Sequence, residues 1–388
     1  MQRIPIEANP VLAAPVWIDV DLDAIAHNVR SFRRWLAPAC RLIAVVKANA
    51  YGHGMVRVAR ATLQAGADEL AVASVAEGAL LRTAGITQMI QVAGPIAPSE
   101  AAAVVQHGLL PSIGSVELAQ ALARANRRYL PVQIEVDTGM SRHGVPAHEL
   151  GAVVDGIQAR GRLAIAAVFT HFAATSIDDS AALAGQLATF LDAVGSVREL
   201  RGVRRHACNT LGAMLLPAAH LDAVRIGGGL YGFDPFFGSG SPGPLALRQA
   251  LSLKARVVGL RDVPVGTAVG YGGTFVCARR TRLALLPIGY ADGLVRELWN
   301  GAAVLVRGVR VRLVGVVSMN QAVVDVTDVP GVVLGDEVVL LGQQGGQCVR
   351  AEERVGPGGS VYEVTTLLRA GLSRRWLETS VRERPEPR

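Results

Sequence analysis

Short apolar runs alternate with amphipathic segments along the first two-thirds of the chain. The runs are rich in Val, Ile, Leu and Ala, which is typical of strands that are buried on both faces. The segments between them repeat apolar residues at three- and four-residue spacing, which is typical of helices with one buried face. Eight runs follow this pattern, at residues 42–47, 69–74, 89–94, 109–113, 132–137, 165–171, 205–208 and 223–227.

Two of the amphipathic segments carry helix start signals. Ser74 stands three residues before Glu77, which is the spacing of a capping box. Asp21 or Asp23 is the candidate N-cap of an earlier helix, whose apolar face would hold Ile25, Val29, Phe32 and Leu36. Eight strand–helix repeats over about 200 residues predict an α/β fold of the (β/α)8 TIM-like barrel type.

From about residue 251 the pattern changes to short β segments separated by Gly, Pro and Asp turns. We predict a barrel domain at 1–247 and a mostly β C-terminal domain at 248–388, with a strand near 15–20 as a candidate to join the second domain. Residues 238–244, rich in Gly, Ser and Pro, are the candidate linker. The predicted strands are 257–263, 282–287, 304–306, 311–319, 323–326 and 337–341, and the last helix is predicted at 363–376.

Composition narrows the function classes. Half of the 388 residues are hydrophobic and 18% are charged, which excludes extended disorder. The apolar runs are too short to span a bilayer, and the first residues do not resemble a signal peptide, so a cytoplasmic protein without membrane contact is expected. The four cysteines lie far apart, and no metal site is expected. The net charge of +7 comes from scattered arginines, which argues against a nucleic-acid partner.

Lys47 is one of only two lysines in a chain with 37 arginines, and it follows a buried strand run. Arginine serves as well as lysine in salt bridges and phosphate contacts, but only a primary amine forms an imine with an aldehyde. Lys47 is therefore a candidate for covalent catalysis. The alternative is a lysine that extends its ammonium into water from a sheet edge.

Other polar residues fall after the predicted strands, where barrel active sites lie. In barrels of this type, the loops after the seventh and eighth strands commonly bind phosphate. Three consecutive glycines after the eighth predicted strand, at 227–229, would let backbone N–H groups approach an anion. An amine and a phosphate site together suggest pyridoxal 5′-phosphate, with Arg225 as the partner of the ring nitrogen. An arginine cannot accept a proton from the cofactor ring, so the ring nitrogen would stay neutral. A neutral ring withdraws electrons weakly, which suits simple proton transfer at the Cα of an amino acid. The residues in this set are Lys47, Tyr51, Arg142, His171, Asn209, Thr210, Arg225, Gly227 and Gly228.

These residues belong to motifs that resemble those of alanine racemases, and the resemblance covers nearly the whole chain. The motifs, in order, are Val46-Lys-Ala-Asn-Ala-Tyr-Gly-His-Gly54, Asp137-Thr-Gly-Met-Ser-Arg-His-Gly144, Thr170-His-Phe-Ala173, Arg225-Ile-Gly227, Leu230-Tyr-Gly232, Tyr271-Gly-Gly-Thr274, Pro287-Ile-Gly-Tyr-Ala-Asp-Gly293, Val317-Ser-Met-Asn320 and Tyr362-Glu363.

The resemblance implies a role for each matching residue. Lys47 would hold the cofactor and act as one acid/base, and Tyr271 of the partner subunit would be the second. His171 would bridge Tyr271 and Arg225 by hydrogen bonds. The cofactor would also contact Asn209, and its phosphate would be held by Tyr51, Thr210, Gly227, Gly228 and Tyr362. The substrate carboxylate would be bound by Arg142 and the Met319 amide, with Asn320 nearby and Tyr290 at the entrance.

The implied activity is racemisation of alanine by a homodimer that supplies D-alanine for peptidoglycan. One alternative is a racemase of broader range, acting on serine or other small amino acids. A second is a decarboxylase with the same two-domain architecture, which would not need Tyr271. A third is a non-catalytic pyridoxal phosphate carrier, which would resemble the barrel alone.

Three positions depart from the family pattern. Glu135 stands where many members carry a lysine that becomes carbamylated and holds the substrate-binding arginine. We predict that the Glu135 carboxylate replaces the carbamate and pairs directly with Arg142. Asn320 stands where an acidic residue is usual, which leaves the breadth of specificity open. Thr210 stands where serine is usual and keeps the hydroxyl.

Overall fold

The computed structural model describes residues 14–126, 129–159, 161–356 and 358–378, and its chain divides into two compact units. One unit comprises residues 24–248; the other joins the described residues before 24 to those after 248. The strands in chain order are β1 (Val16–Asp21), β2 (Arg41–Val45), β3 (Glu69–Val72), β4 (Ile90–Val92), β5 (Leu110–Ile113), β6 (Leu130–Asp137), β7 (Val145–Pro146), β8 (Leu163–Phe169), β9 (Arg204–His206), β10 (Ala223–Ile226), β11 (Leu251–Arg256), β12 (Gly259–Val263), β13 (Ala268–Val269), β14 (Phe275–Val276), β15 (Thr281–Leu286), β16 (Ala303–Val306), β17 (Val309–Arg312), β18 (Ala322–Asp325), β19 (Glu337–Gln344), β20 (Gln347–Val349) and β21 (Ser373–Leu377).

The unit of residues 24–248 is a closed parallel barrel. Its strand order is β5-β4-β3-β2-β10-β9-β8-β6, the pairing of β5 with β6 closes the ring, and β7 adds a short strand beside β6. The strands are almost wholly buried, because helices cover them outside and side chains fill them inside. The eight predicted runs coincide with the eight barrel strands, so the predicted fold class is confirmed.

Helices connect the barrel strands and cover their outer face. The first begins at Leu22, directly after Asp21, and buries Ile25, Val29 and Phe32 completely. The other helices of this unit are Met55–Gln64, Val75–Thr83, Ala101–Gln106, Val116–Ala125, Leu150–Gln158, Ser180–Ser196 and Thr210–Leu215. No helix in the described part of the chain is long and apolar enough to cross a membrane.

The second unit is built mainly of β-strands, as predicted. Its large sheet runs β17-β16-β19-β11-β1-β21, with β20 paired to β19. β12, β15 and β18 form a second antiparallel sheet, and β13 and β14 form a hairpin. The hairpin and the second sheet share a small core, which contains Val263, Val269, Cys277, Leu283 and Val314.

Three predicted β-unit elements are corrected by the structure. Segment 257–263 forms only β12, and the preceding β11 was not predicted. Segment 311–319 is a strand only as far as Arg312. Gly315 then turns the chain with φ 72°, at a point where the Val269 carbonyl lies close to it. The helix predicted at 363–376 is Val361–Thr366, and the chain then forms β21 beside β1. Apolar spacing alone cannot reveal that a partner strand is present there.

Candidate active site

Lys47 opens a tight left-handed turn, Lys47–Tyr51, just beyond the end of β2. Ala48, Asn49, Ala50 and Tyr51 all have φ between 52° and 54°. Such a conformation costs an L-residue about 1–2 kcal/mol. Four consecutive strained residues persist only where the surrounding contacts outweigh that cost, and such strain tends to occur at functional sites.

Two side chains, those of Glu77 and Asn49, hold this turn by hydrogen bonds to its backbone or flanks. Glu77 accepts one bond from the Ala48 amide at 2.7 Å and another from the Ala73 amide at 2.8 Å. Asn49 Oδ1 accepts from the Met55 amide at 2.9 Å. The predicted capping box is therefore only half formed. Ser74 caps the helix as expected, accepting from the Glu77 amide, but the Glu77 carboxylate serves the lysine turn instead.

The surroundings of Lys47 lower the pKa of its amine. Burial contributes most, the nearby charges of Arg142 and Arg225 add to it, and Glu77 acts in the opposite direction. The side chain is nonetheless reached by solvent. The two observations agree if protein encloses the amine on most sides and leaves it open at the barrel mouth. An amine in this setting loses its proton more readily, as a nucleophile or base must.

Arg225, on β10, is buried, and nitrogen and oxygen atoms of four neighbouring residues hold it. It donates to His206 Nδ1 at 2.7 Å, to the Thr170 carbonyl at 2.7 Å and to the Ala207 carbonyl at 3.0 Å, and its Nη2 lies 3.3 Å from His171 Nδ1. Burial lowers its pKa to about 10, so the guanidinium stays protonated at neutral pH. These bonds fix its orientation.

Both histidines beside Arg225 are kept neutral. Burial, followed by the charges of Arg225 and Arg142, lowers the pKa of His171 to about 3. Burial and Arg225 also lower the pKa of His206 well below its usual value. Because Arg225 donates to Nδ1 of each ring, both carry their proton on Nε2.

A candidate anion cradle, built from Thr210, Tyr51 and the backbone around Gly227, lies where β9 and β10 end. Thr210 Oγ accepts from the Gly227 amide at 3.2 Å and from the Gly229 amide at 3.1 Å. A Cβ placed on Gly227 would lie 2.6 Å from the Tyr51 hydroxyl, so only glycine allows that approach. Asn209 caps the short helix that Thr210 begins. A hydroxyl, a phenol and glycine backbone thus converge beside Arg225.

Glu135 does not pair with Arg142, so that prediction is wrong. Its buried carboxylate lies 2.8 Å from His143 Nδ1, and among the described residues no ion pair joins it to Arg142. Strand alternation places residues 135 and 137 on one face, but it does not identify the partner of Glu135. The loop after Asp137 places the His143 ring against Glu135 and leaves Arg142 exposed. The exposed Arg142 still acts electrostatically on Lys47 and His171.

The remaining predicted residues lie on the β unit, largely exposed. The chain around Tyr290 is bonded to the Met319 segment, with the Tyr290 amide donating to the Ser318 carbonyl at 3.1 Å and Ala291 to Met319 at 2.9 Å. The exposed fractions of these residues are 71% for Tyr271, 55% for Met319, 44% for Tyr290 and 41% for Tyr362. Asn320, beside Met319, is also exposed.

Sequence reasoning missed three residues that build this site. His206 orients Arg225, Glu77 holds the lysine turn, and Tyr231 donates from its hydroxyl to the Val45 carbonyl at 2.8 Å, two residues before Lys47. One signal for His206 was available, since a histidine in a strand that enters a barrel is an unusual core residue. Nothing in the sequence indicated that Glu77 would reach across to the lysine turn.

Two family models match this architecture. The N-terminal domain of alanine racemase matches residues 20–235, and its C-terminal domain matches residues 250–376. The chain belongs to the alanine racemase family. It is thus an enzyme of the isomerase class, as predicted.

Relatives and solved structures agree with this assignment. An alanine racemase of Symbiobacterium thermophilum is 42% identical over 368 residues, which cover 93% of this chain and 96% of the relative. The crystal structure of alanine racemase from Bacillus anthracis with bound L-Ala-P is 32% identical with a TM-score of 0.85, covering 94% and 95% of the two chains. A histidine racemase from Leuconostoc mesenteroides is 27% identical with a TM-score of 0.84, covering 95% and 99%.

Proposed function

We propose that this racemase interconverts L- and D-alanine with pyridoxal 5′-phosphate as its resident cofactor. The observation that carries the proposal is the combination at the barrel mouth of an activated amine, a buried cation held rigidly and an anion cradle. When bound, the cofactor supplies an aldehyde that condenses with amines and a ring that withdraws electrons from Cα.

The residues at the barrel mouth fit this cofactor. Thr210, Tyr51 and the backbone at Gly227 and Gly228 would hold the phosphate, with Tyr362 as a further candidate and Asn209 beside them. The Gly227–Tyr51 approach leaves no room for a side chain, which suits a group bound by backbone and hydroxyl. Arg225 would face the ring nitrogen and, because it stays protonated, would keep that nitrogen unprotonated.

Two bases on opposite faces of the substrate explain racemisation better than one. Lys47 Nζ would remove or return the Cα proton on one face, and Oη of the partner subunit's Tyr271 would do so on the other. Two fixed groups avoid the rearrangement that a single base would need. His171 is neutral and carries its proton on Nε2, so it can connect Arg225 to the tyrosine by a hydrogen bond.

Substrate binding rests on the carboxylate. Arg142 is exposed at the barrel mouth and supplies a fork of donors that matches a carboxylate. The Met319 amide would add a backbone donor, Asn320 would stand close to it, and Tyr290, bonded through its backbone to the same segment, would narrow the entrance.

A homodimer with shared sites follows from the second base. Tyr271 and Met319 are both more than half exposed, so they are available to a second copy of the chain. We propose that each site combines the barrel of one subunit with these residues of its partner, in a cytoplasmic enzyme that supplies D-alanine for peptidoglycan. Sedimentation analysis should give a dimer at assay concentrations, and a stable monomer with full activity would contradict the shared site.

A broader substrate range is the second candidate. Asn320 replaces an acidic residue near the proposed carboxylate site, and a racemase of another amino acid shares this architecture. The discriminating measurement is chiral chromatography of L-alanine, L-serine and L-histidine after incubation with the purified, cofactor-loaded protein. Alanine racemisation at the highest kcat/KM supports the proposal, and a clear preference for another amino acid contradicts it.

A further inference from the structure

The loop that carries Arg142 leaves the barrel and returns to the same strand. It begins at Asp137, where β6 ends, and β7 then pairs in parallel with β6. At the return, Gly144 has φ 106°, and a Cβ there would lie 3.0 Å from both the Cγ and the backbone oxygen of Glu135. Both ends of the loop are therefore fixed tightly against one strand.

The two neighbours of Arg142 are each bound by a carboxylate of that strand. The Ser141 amide donates to the Asp137 carboxylate at 3.1 Å, and His143 Nδ1 lies 2.8 Å from Glu135 Oε2. Residues 135 and 137 share one strand face, so the two contacts anchor the loop on the same side. Arg142 lies between them, and no carboxylate of the described residues is within ion-pair distance of it.

The His143 ring is also held on its other side. Gly114 follows β5, and a Cβ there would lie 2.7 Å from His143 Nε2. The ring therefore occupies a slot between a glycine and a buried carboxylate, and its side chain is only 20% exposed. Any movement of the ring would move the peptide that joins it to Arg142.

We propose that His143 is a positioning residue, which fixes Arg142 for the carboxylate of the substrate. Glu135 then acts on Arg142 through the histidine and not by a direct ion pair. This inference rests on the proposed function, because it assigns the substrate carboxylate to Arg142. It explains how a carboxylate at position 135 serves an arginine that it does not touch.

The test compares three variants with one control. His143→Leu removes the contact with Glu135, His143→Asn keeps a donor near the Nδ1 position, and Gly114→Ala pushes the ring from its slot without a change at the loop. His148→Leu is the matched control, since that histidine is exposed. For each cofactor-loaded protein, KM and kcat for alanine, the inhibition constant of propionate, the visible cofactor absorbance and the Tm are measured.

We expect His143→Leu and Gly114→Ala to raise KM and the propionate constant about tenfold or more, because a mispositioned arginine loses a charge-assisted bond. The kcat and cofactor absorbance should change little, His143→Asn should recover most of the affinity, and His148→Leu should behave as wild type. The Tm reports separately the cost of leaving the buried Glu135 carboxylate without its partner in His143→Leu. A fall in kcat alone, an unchanged propionate constant, or equal losses in His143→Leu and His143→Asn overturns the inference. Wild-type protein that does not racemise alanine overturns the proposed function itself, and this inference with it.

Discussion

The two lysines of the chain occupy opposite environments. In the β unit, Lys254 lies 3.2 Å from a carboxylate oxygen of Asp19 and 3.2 Å from one of Glu337, in the middle of the large sheet. At the barrel mouth, burial lowers the pKa of Lys47 most, Arg142 and Arg225 lower it further, and the carboxylate of Glu77 acts in the opposite direction. The charge of Lys254 is balanced by its two carboxylate partners, whereas burial disfavours the charged form of the Lys47 amine.

This difference shows that reactivity comes from the surroundings and not from the residue type. A lysine between two carboxylates forms ion pairs with both, and these pairs fix the position of its side chain. A lysine among cations and partly buried gains from losing its proton, which prepares it to attack an aldehyde or accept a proton from carbon. The β unit therefore uses its lysine to hold strands together, and the barrel presents its lysine to a ligand.

Exchanging each lysine for alanine gives the largest contrast. Lys47→Ala should abolish the borohydride-reducible cofactor link and reduce racemisation by at least about 10³-fold, because one residue supplies both nucleophile and base. Lys254→Ala should keep both, and lower the free energy of unfolding by about 1–3 kcal/mol, since Asp19 retains its bonds to Arg375. The measurements are absorbance with reduction, chiral assay and urea unfolding.

Either of two results would contradict this contrast between the two lysines. A reducible cofactor in the Lys47→Ala protein would point to Lys254 as the attachment site. Loss of the cofactor in a folded Lys254→Ala protein would show that the ion pairs of the β unit contribute to the barrel site.

Tyr271 tests whether the β unit also contributes chemistry. Tyr271→Phe should keep the cofactor absorbance but lower racemisation by at least about 10²-fold, the usual contribution of a general acid/base. Exchange of the Cα proton in D-alanine, the face assigned to Lys47, should survive better than exchange in L-alanine. NMR in D2O measures both rates, and an equal loss for the two enantiomers would contradict the two-base assignment.

The barrel could be predicted from the sequence because each of its strands is a local apolar run with helical segments around it. The polar centre was only partly predictable. Lys47 and Thr210 follow strand ends, and Arg225 lies near the end of β10, where chain order alone brings residues together. His206 and Glu77 act through contacts across the fold, and those depend on how loops turn and not on local pattern.

The errors in the β unit have the same cause. β11 and β21 flank β1 in one sheet, although they lie over 100 residues apart in sequence. A short strand takes much of its stability from such partners, so its own residues carry a weak signal. The prediction of a Glu135–Arg142 ion pair failed for a related reason. Strand alternation predicts the sheet face on which Glu135 lies, but not the path of the loop that carries Arg142.

Glu77 offers a smaller perturbation of the barrel lysine alone. Glu77→Ala removes two bonds to backbone amides, one of them within the strained turn, and should destabilise the protein by about 2–4 kcal/mol. Glu77→Gln keeps one acceptor and should cost about half as much. Both variants remove the charge that opposes the lowered pKa of Lys47, so the pH at which the cofactor-free protein captures pyridoxal phosphate should move downward. An upward shift in the pH profile would contradict this electrostatic account.

The neutral histidines beside Arg225 predict the smallest effect, a loss of stability in mild acid. His206 is fully buried with its pKa lowered, whereas an unfolded histidine titrates near ~6.5. Below that pH the unfolded state binds a proton that the folded state refuses, so stability should fall by up to about 1.4 kcal/mol per pH unit per such histidine. His206→Gln keeps an acceptor for Arg225 but cannot titrate; its unfolding free energy should therefore depend less steeply on pH between about 6 and 4.5, by close to one proton. Urea unfolding at several pH values measures the slopes, with exposed His148→Gln as the control. Equal slopes for wild type and His206→Gln would show that His206 takes up its proton within the folded barrel, and Arg225 would then lose the acceptor that orients it.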